Sequence, residues 1–280
     1  MLSNLFGERE TSPVSPVAPW IGGKRVLAKR LTRLIAAVEH SLYAEAFVGM
    51  GGVFLRRRVL PSAEVINDFS GEVTTLFRIL QRHYPQFLDC LRFQITSRRE
   101  FERLTRVDPS TLTDLERAAR FLYLQRTAFG GKVRGRTFGV VTDGRGRFDL
   151  TTLAPMLEAV HERLSGVIIE NLPFQEFIPR YDRPGTLFYC DPPYFGCETD
   201  YGKDMFACDD FTRLAELMAG LQGRVILSIN DTPEVREIFG RFTMLPVTVT
   251  YSISEGAPGE FGELIIANFE HPLLASPAAP

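Results

Sequence analysis

The chain has 280 residues, of which 45% are hydrophobic and 24% are charged, as in a globular protein with room for one α/β domain and an insertion. A net charge of −2 excludes a general polycation, and no hydrophobic run approaches the roughly 20 residues that a membrane-spanning helix needs. Four cysteines without paired spacing and four histidines predict neither a metal site nor disulfides, and they fit a reducing cytoplasm.

The first elements follow an expected mobile tail, residues 1–18. A basic amphipathic helix is predicted within "GGKRVLAKRLTRLIAAV", followed by the strand "LYAEAFVGMGG" and a helix at "VFLRRRVL". The strand "AEVIND" then leads into the helix "EVTTLFRIL". This order of strand, glycine turn, helix, strand, acid and helix predicts the start of a doubly wound nucleotide-binding sheet.

Residues 81–164 interrupt this pattern and are predicted to form a largely helical insertion. Its segment from Arg92 to Arg147 contains thirteen Lys or Arg against six Asp or Glu. That excess predicts a face that meets phosphate groups, although solvated helix faces are the simpler alternative. Near its end, Asp143-Gly144 is a turn signal for a β-hairpin.

The strand pattern returns in residues 165–270, and a second mobile tail is expected at 271–280. The strands are "GVIIENL", "TLFYCDPPY", "RVILSIND", "TMLPVTVTYSI" and "ELIIANF". We expect a mainly parallel sheet with one antiparallel strand near its end, in which "ELIIANF" pairs with "VTVTYSI".

Two strand ends carry residues suited to a ligand, which binds beyond the carboxyl ends of the strands in open α/β sheets. Gly49, Gly51 and Gly52 permit a tight turn and close approach, but they do not complete a dinucleotide-binding fingerprint. Asp68 follows the next strand, where it can accept hydrogen bonds from a ribose or cap the following helix.

A third strand ends in "CDPPYFG", which places a carboxylate before a stiff segment. Pro192 and Pro193 cannot propagate a helix, and each restricts the residue before it to extended angles. The segment therefore presents Asp191 and Tyr194 at the edge of the sheet.

Six motifs, taken in order, resemble one family over the range from Pro19 to Phe269. They are "PWIGGKR", "AEAFVGMGGVF", "VINDFSGEV", "LQRTAFGGKVRG", "LFYCDPPYFG" and "LSINDTPEVREIFG". The chain resembles the DNA adenine N6-methyltransferases that use S-adenosylmethionine, the deoxyadenosine methylase family with an Asp-Pro-Pro-Tyr motif. The resemblance implies a Rossmann-like methyltransferase fold, with a catalytic domain of residues 19–80 and 165–270 and a DNA-recognition domain of residues 81–164.

The resemblance also implies roles for individual residues. S-adenosylmethionine would be bound by Trp20, Lys24, Phe47, Gly49, Gly51, Asp68 and Asp191. The catalytic segment would be Asp191, Pro192, Pro193 and Tyr194. Double-stranded DNA would be contacted by Arg126, Lys132, Arg134 and Arg136. No metal is expected, and the oligomeric state is left open with a monomer as the expectation. Host modification, phage protection and partnership with a restriction enzyme are all biological roles that fit the sequence.

The chemistry of adenine explains the Asp-Pro-Pro-Tyr segment. The lone pair of N6 is delocalised into the ring, so acceptors for its two N–H bonds are needed to make it nucleophilic. Asp191 and the carbonyl of Pro192 can supply them. The base must leave the duplex, and Tyr194 is the expected stacking platform. Phe195 either widens this slot or belongs to the core.

Two sequence features that could indicate a different active site have simpler explanations, and a third bears on the recognition sequence. "IENL" is similar to a motif of cytosine C5-methyltransferases, but no Pro-Cys pair is present, and Cys190 is expected in the core. Asp231 before Thr232-Pro233 is expected to cap a helix. Gly130 stands where family members that methylate GATC commonly carry Asn, so GATC is only one candidate recognition sequence.

The remaining alternatives are a cytosine N4-methyltransferase, a DNA-binding regulator of the same fold without turnover, and a nicotinamide oxidoreductase. The order of the motifs favours adenine over cytosine. The intact Asp-Pro-Pro-Tyr segment argues against a silent regulator, and the incomplete glycine fingerprint argues against the oxidoreductase.

Overall fold

The computed structural model describes residues 9–140, 144–197, 206–251 and 259–275. Its strands are β1 (Arg9–Glu10), β2 (Leu42–Glu45), β3 (Val59–Leu60), β4 (Ala63–Asn67), β5 (Ile168–Glu170), β6 (Thr186–Cys190), β7 (Arg224–Asn230), β8 (Thr243–Tyr251) and β9 (Gly259–Ala267). Its α-helices are α1 (Ala28–Ala37), α2 (Gly71–Arg82), α3 (Tyr84–Leu91), α4 (Arg98–Arg106), α5 (Asp114–Thr127), α6 (Leu150–Arg163), α7 (Phe174–Tyr181), α8 (Cys208–Gly220), α9 (Pro233–Ile238) and α10 (Pro272–Ala275). None of these described helices is long and apolar enough to cross a membrane.

Seven of the strands form one sheet in the order β5-β4-β2-β6-β7-β9-β8. Neighbouring strands from β5 to β7 are parallel, whereas β9 runs antiparallel to both β7 and β8. The predicted α/β fold and the pairing of "ELIIANF" with "VTVTYSI" are confirmed. Consecutive residues of β2 belong to different hydrophobic clusters, Tyr43 to one and Ala44 to the other, as expected for a sheet covered on both faces.

The parallel strands bring the predicted acidic residues to one edge of the sheet. β4 and β6 flank β2, and Asp68 and Asp191 directly follow these two strands. The side-chain amide of Asn67 holds this edge together by donating to the carbonyls of Ala46 at 2.9 Å and Leu172 at 3.0 Å. The strand order therefore places the two acids on either side of the chain that leaves β2.

The segment "VFLRRRVL" does not form the predicted helix. Phe54–Arg56 make one turn of 3-10 helix, after which the chain extends into β3 and pairs with β1. The buried guanidinium of Arg57 binds Glu64 at 2.6 Å and lies over the ring of Tyr43 at 3.6 Å. Since a buried charge needs a partner, this tertiary pairing overrides the local helical pattern.

The described parts of the two segments expected to be mobile tails, residues 1–18 and 271–280, contact the rest of the fold, and their mobility stays a prediction. The N–H of Val14 donates to the carbonyl of Leu55 at 2.8 Å, and Val17 is buried. At the other end, Leu274 of α10 is buried in the main hydrophobic cluster. Hydrophobic side chains within both segments account for this packing.

The predicted insertion contains the helices α3, α4, α5 and α6. It packs directly on the sheet domain, because α5 lies against α2. Glu72 of α2 binds Arg117 of α5 at 2.5 Å and Arg120 at 3.6 Å. The division of the chain at residues 81 and 164 stays a prediction.

The hairpin predicted around Asp143-Gly144 has its turn partly outside the described residues, which omit 141–143. The described flanks, 129–140 and 144–149, contain no strand. An isolated β-bridge joins Phe138 of the first flank to Ala128, which directly precedes it.

Candidate active site

The glycine turn after β2 lies directly beneath an indole ring. Gly49 (φ 49°) and Gly51 (φ 74°) have left-handed backbone conformations, which other residues adopt at a cost. A Cβ added at Gly49 would lie 2.6 Å from Nε1 of Trp20. The ring of Trp20 meets that of Phe121 of α5 edge-on, with centroids 6.4 Å apart. A side chain at Gly49 would therefore have to displace this tryptophan.

Asp68 connects this turn with the start of α2. Its Oδ2 accepts the N–H of Gly49 at 2.9 Å, and its Oδ1 accepts the N–H of Ser70 at 2.8 Å. Burial raises the pKa of Asp68 to about 6, although these two backbone N–H groups oppose the rise. Each carboxylate oxygen keeps a further lone pair, so Asp68 can still accept hydrogen bonds from a ligand.

Asp191 is anchored through one of its two oxygens. Oδ1 receives hydrogen bonds from Nζ of Lys24 at 2.9 Å and from Oγ of Ser228 at 3.2 Å. Burial raises the pKa of Asp191 to about 6, and the Lys24 ammonium opposes that rise. Both of these contacts with described residues use Oδ1, while 21% of the side chain remains exposed. Oδ2 is thus the oxygen best placed to meet a ligand.

Lys24 joins Asp191 to two further side chains. Its Nζ donates to the hydroxyl of Tyr194 at 2.9 Å and lies 3.6 Å from Oε2 of Glu263. The Tyr194 hydroxyl donates to Oε1 of Glu263 at 2.5 Å. Sequence reasoning does not identify Glu263, for which the available signal is a lone acid in the hydrophobic strand "ELIIANF".

Glu45 is a second acid that the sequence does not single out. It ends β2, is buried, and accepts a hydrogen bond from the Tyr43 hydroxyl at 2.6 Å. Burial raises the pKa of Glu45 to about 8, with the charge of Asp191 adding to the rise. An acid immediately before "AFVGMGG" was the signal that could have pointed to it.

The strand end "SIND" supports the catalytic segment through Asn230. Its side chain accepts the N–H of Phe195 at 2.8 Å and donates to the carbonyl of Phe195 at 3.1 Å. The Phe195 ring packs on Phe211 with centroids 5.2 Å apart, which favours the core interpretation of Phe195. Cys190 is buried, as expected.

The prediction that Asp231 caps the next helix is wrong by one residue. Oγ1 of Thr232 accepts the N–H of Val235 at 3.3 Å and is the cap of α9. Asp231 instead binds Arg236 through two hydrogen bonds of 2.6 and 2.7 Å. The hydroxyl of threonine can reach the third N–H of the helix, which leaves Asp231 to pair with a cation.

Trp20, Asp68 and Asp191 line one cavity of about 890 Å³. Of the predicted site residues, its wall contains Trp20, Lys24, Phe47, Gly49, Asp68, Arg126, Asp191 and Pro193. Gly51, Pro192 and Tyr194 are not part of the wall that the described residues form, and Tyr194 reaches the site through Lys24. In the part of the chain that the structure describes, no group of three or more His, Cys, Asp or Glu is placed to hold a metal ion.

The four basic residues predicted to contact DNA fall into two environments. Arg126 donates to the carbonyls of Val17 at 2.5 Å and Arg147 at 3.0 Å. Arg136 donates to the carbonyl of Lys132 at 3.1 Å and to Oε1 of Gln125 at 3.1 Å.

Burial lowers the pKa of Arg136 to about 10. Lys132 and Arg134 are exposed. Two of the four cations, Arg126 and Arg136, are therefore half-buried and bonded within the chain, and the other two are exposed. Their contacts with DNA stay predictions.

A comparison with known families identifies the family of this chain. Residues 20–253 match the model of the D12 class N6 adenine-specific DNA methyltransferases. The chain belongs to this family. The match spans the glycine turn, Asp68, the insertion and the Asp-Pro-Pro-Tyr segment, so the D12 enzyme is an adenine-specific DNA methyltransferase, and neither cytosine N4 methylation nor a silent regulator is favoured.

Relatives agree with this D12 assignment over most of their length. The type II methyltransferase M1.LlaDCHI of Lactococcus lactis subsp. cremoris is 25% identical over 276 residues, which cover 91% of this chain and 95% of the relative. The type II methyltransferase M.CviBI of Paramecium bursaria Chlorella virus NC1A is 24% identical, covering 81% and 86%. The Retron Ec67 DNA adenine methylase of Escherichia coli is 25% identical, covering 87% of each.

Proposed function

We propose that this D12 enzyme takes its methyl group from S-adenosylmethionine in the cavity beneath Trp20 and transfers it to N6 of an adenine held by Asp191. The observation that carries the proposal is that Asp68, the glycine turn and Asp191 line one cavity of about 890 Å³. That volume suits a ligand of this size.

The described residues fit the cofactor. The remaining lone pairs of Asp68 suit the two hydroxyls of a ribose, and the turn at Gly49 exposes backbone at close range. Asp68 and Asp191 give the wall an acidic character that complements a cation.

Bound S-adenosylmethionine supplies a methyl group on a positively charged sulfur. In the transfer, the electron pair of the broken C–S bond would stay on sulfur, and N6 would gain a C–N bond and lose one proton.

Asp191 prepares the nucleophile. Lys24 and Ser228 hold Oδ1, so Oδ2 accepts one N–H of the amine. The carbonyl of Pro192 accepts the other, held by the rigid Pro-Pro segment. Two such acceptors favour a pyramidal nitrogen whose lone pair faces the methyl group, which is preorganised electrostatic catalysis. Oδ2 can then receive the proton that N6 loses, because burial has made this carboxylate more basic.

Tyr194 is proposed to stack on the adenine once the base has left the duplex. Its hydroxyl is held by Glu263, and the Lys24 ammonium lies 4.3 Å from the centre of its ring. One face of the ring therefore already carries a cation, and the base would use the other face.

The insertion is proposed to contact double-stranded DNA. The exposed Lys132 and Arg134 lie in the turn after Gly130 and Gly131, both of which have left-handed backbone conformations. Internal donors shape the same turn, because Nε2 of the buried Gln125 donates to the carbonyl of Gly131 at 2.7 Å. Basic groups on a shaped turn can contact phosphates or base edges.

Expression in methylase-deficient cells tests the proposal directly. Sequencing of modified bases in their DNA should reveal N6-methyladenine in one sequence context, and cells expressing Asp191→Ala should lack it. Purified protein should bind S-adenosylmethionine and show no comparable affinity for NAD. N4-methylcytosine, or no modified base despite cofactor binding by folded protein, would contradict the proposal.

A further inference from the structure

We propose that Glu263 is a positioning residue for methyl transfer, which holds Lys24 and Tyr194 against Asp191 from the antiparallel strand β9. This inference rests on the proposed role of Asp191. Glu263 lies opposite Asn230 in the register of β9 with β7, beside the strand end that supports the catalytic segment.

The contacts show that Glu263 is built into the site. Oε1 accepts the Tyr194 hydroxyl at 2.5 Å, while Oε2 lies 3.6 Å from Nζ of Lys24. The relative exposure of Glu263 is 1% and that of Lys24 is 2%. A buried ammonium and two carboxylates, those of Glu263 and Asp191, thus form one group with a formal charge of −1. Burying such charges is costly unless each one is paired.

This arrangement gives Glu263 two effects on Asp191. It keeps Lys24 between two acids, so the ammonium is shared and Tyr194 stays fixed beside it. It also places a like charge near Asp191, which raises the pKa of that carboxyl, whereas Lys24 lowers it. The groups that face Asp191 from the surrounding elements are Lys24, Glu45, Tyr189, Cys190, Ser228 and Glu263.

Three variants separate these effects. In Glu263→Gln the charge is lost while an acceptor for the Tyr194 hydroxyl remains. We expect kcat to fall about 10-fold to 100-fold, since small misplacements of reacting groups cost this much, with S-adenosylmethionine affinity changing less than about 3-fold. Asp191 must be ionised to receive the proton from N6, and loss of the Glu263 charge lowers its pKa, so the acid limb of the kcat–pH profile should move to lower pH.

Lys24→Met should move the acid limb of the kcat–pH profile to higher pH. Removing the ammonium takes away the charge that lowers the pKa of Asp191, so activity should be lost at higher pH than in the wild type. Glu263→Asp retains the charge but shortens the side chain. Its acid limb should stay near the wild-type position while kcat falls.

Glu64→Gln is the matched control, because Glu64 is also a buried acid with cationic partners, Arg57 and Arg163, and lies outside the cavity wall. This variant should lose stability in thermal unfolding yet keep the wild-type acid limb. A wild-type kcat and acid limb in Glu263→Gln would overturn the inference, as would an equal shift of the limb in Glu64→Gln. If instead the wild type forms no N6-methyladenine, or Asp191→Ala stays active, it is the proposed function that fails.

Discussion

Asp68 accepts the main-chain N–H of Gly49 at 2.9 Å, so the acid that follows β4 fixes the glycine turn that follows its neighbour β2. One carboxylate therefore both shapes the cavity and offers lone pairs to a ligand inside it. This double task makes Asp68 and Gly49 the most direct places to test the cofactor site.

Asp68→Ala should weaken S-adenosylmethionine binding about 10-fold to 150-fold, because a hydrogen bond to a charged group contributes roughly 1.5–3 kcal/mol. Isothermal calorimetry measures the affinity, and DNA binding should change far less. Asp231→Ala is a suitable control, since Asp231 is also an acid at a strand end but is paired with Arg236 on the surface. Unchanged cofactor affinity in Asp68→Ala would reduce Asp68 to a scaffold residue.

Gly49→Ala should reduce cofactor affinity at least about 10-fold. The new Cβ would meet Nε1 of Trp20 at 2.6 Å and push the indole out of the cavity wall. Gly166→Ala provides the control, because Gly166 also has a positive φ, 77°, but a Cβ there meets nothing within 4 Å. Both variants carry a backbone strain of about 1–2 kcal/mol. Equal loss of binding in the two would show that strain, and not occupation of the cavity, is responsible.

Asp191→Ala should lower the rate of methyl transfer by about 100-fold to 1000-fold, as expected for loss of one preorganised hydrogen-bonding group. The fold should persist, which can be verified by comparing the thermal unfolding of the variant with that of the wild type. The rate can be followed by transfer of a labelled methyl group to duplex DNA. Turnover close to that of the wild type in a folded Asp191→Ala protein would rule out the proposed mechanism.

The rate should also depend on pH through Asp191. Burial raises the pKa of this carboxyl to about 6, and only the ionised form can take up the proton that N6 releases. Activity should therefore be nearly constant above pH 7 and fall about tenfold per pH unit well below 6. A kcat that is unchanged down to pH 5, in protein shown to be folded there, would disagree with this assignment.

Single neutral substitutions of the basic residues should divide them into two classes. Lys132→Gln and Arg134→Gln remove exposed charges, so a residue that contacts phosphate should weaken binding to all duplexes and lower the salt slope by about one unit. A residue that reads a base should instead cost about 1–3 kcal/mol on the cognate site alone. Binding is titrated against salt on cognate and scrambled duplexes.

Arg126→Gln and Arg136→Gln should behave differently, because the half-buried wild-type side chains donate hydrogen bonds to Val17, Arg147, Lys132 and Gln125. Loss of these hydrogen bonds should lower thermal stability in addition to any effect on DNA binding. If all four variants keep wild-type affinity and methylation context, the insertion does not recognise DNA.

Much of the site follows from the sequence because its signals are local. Hydrophobic runs that end in glycine, Asp68 or Asp191 mark strand ends, and parallel strands bring such ends to one edge. Proline fixes the backbone after Asp191 whatever the rest of the chain does. The antiparallel pairing of β8 with β9 was likewise predictable, since the two strands follow one another along the chain.

Tertiary structure alone decided the partners of these residues. Lys24 and Glu263 are separated by 239 positions, and they meet because β9 adds to the sheet beside β7. The same holds for Arg57, whose pairing with Glu64 turns a predicted helix into an extended segment. Periodic patterns report which face of an element is buried, but they do not specify which buried charge lies opposite. That choice depends on strand order and register, where the cost of an unpaired buried charge selects the partner.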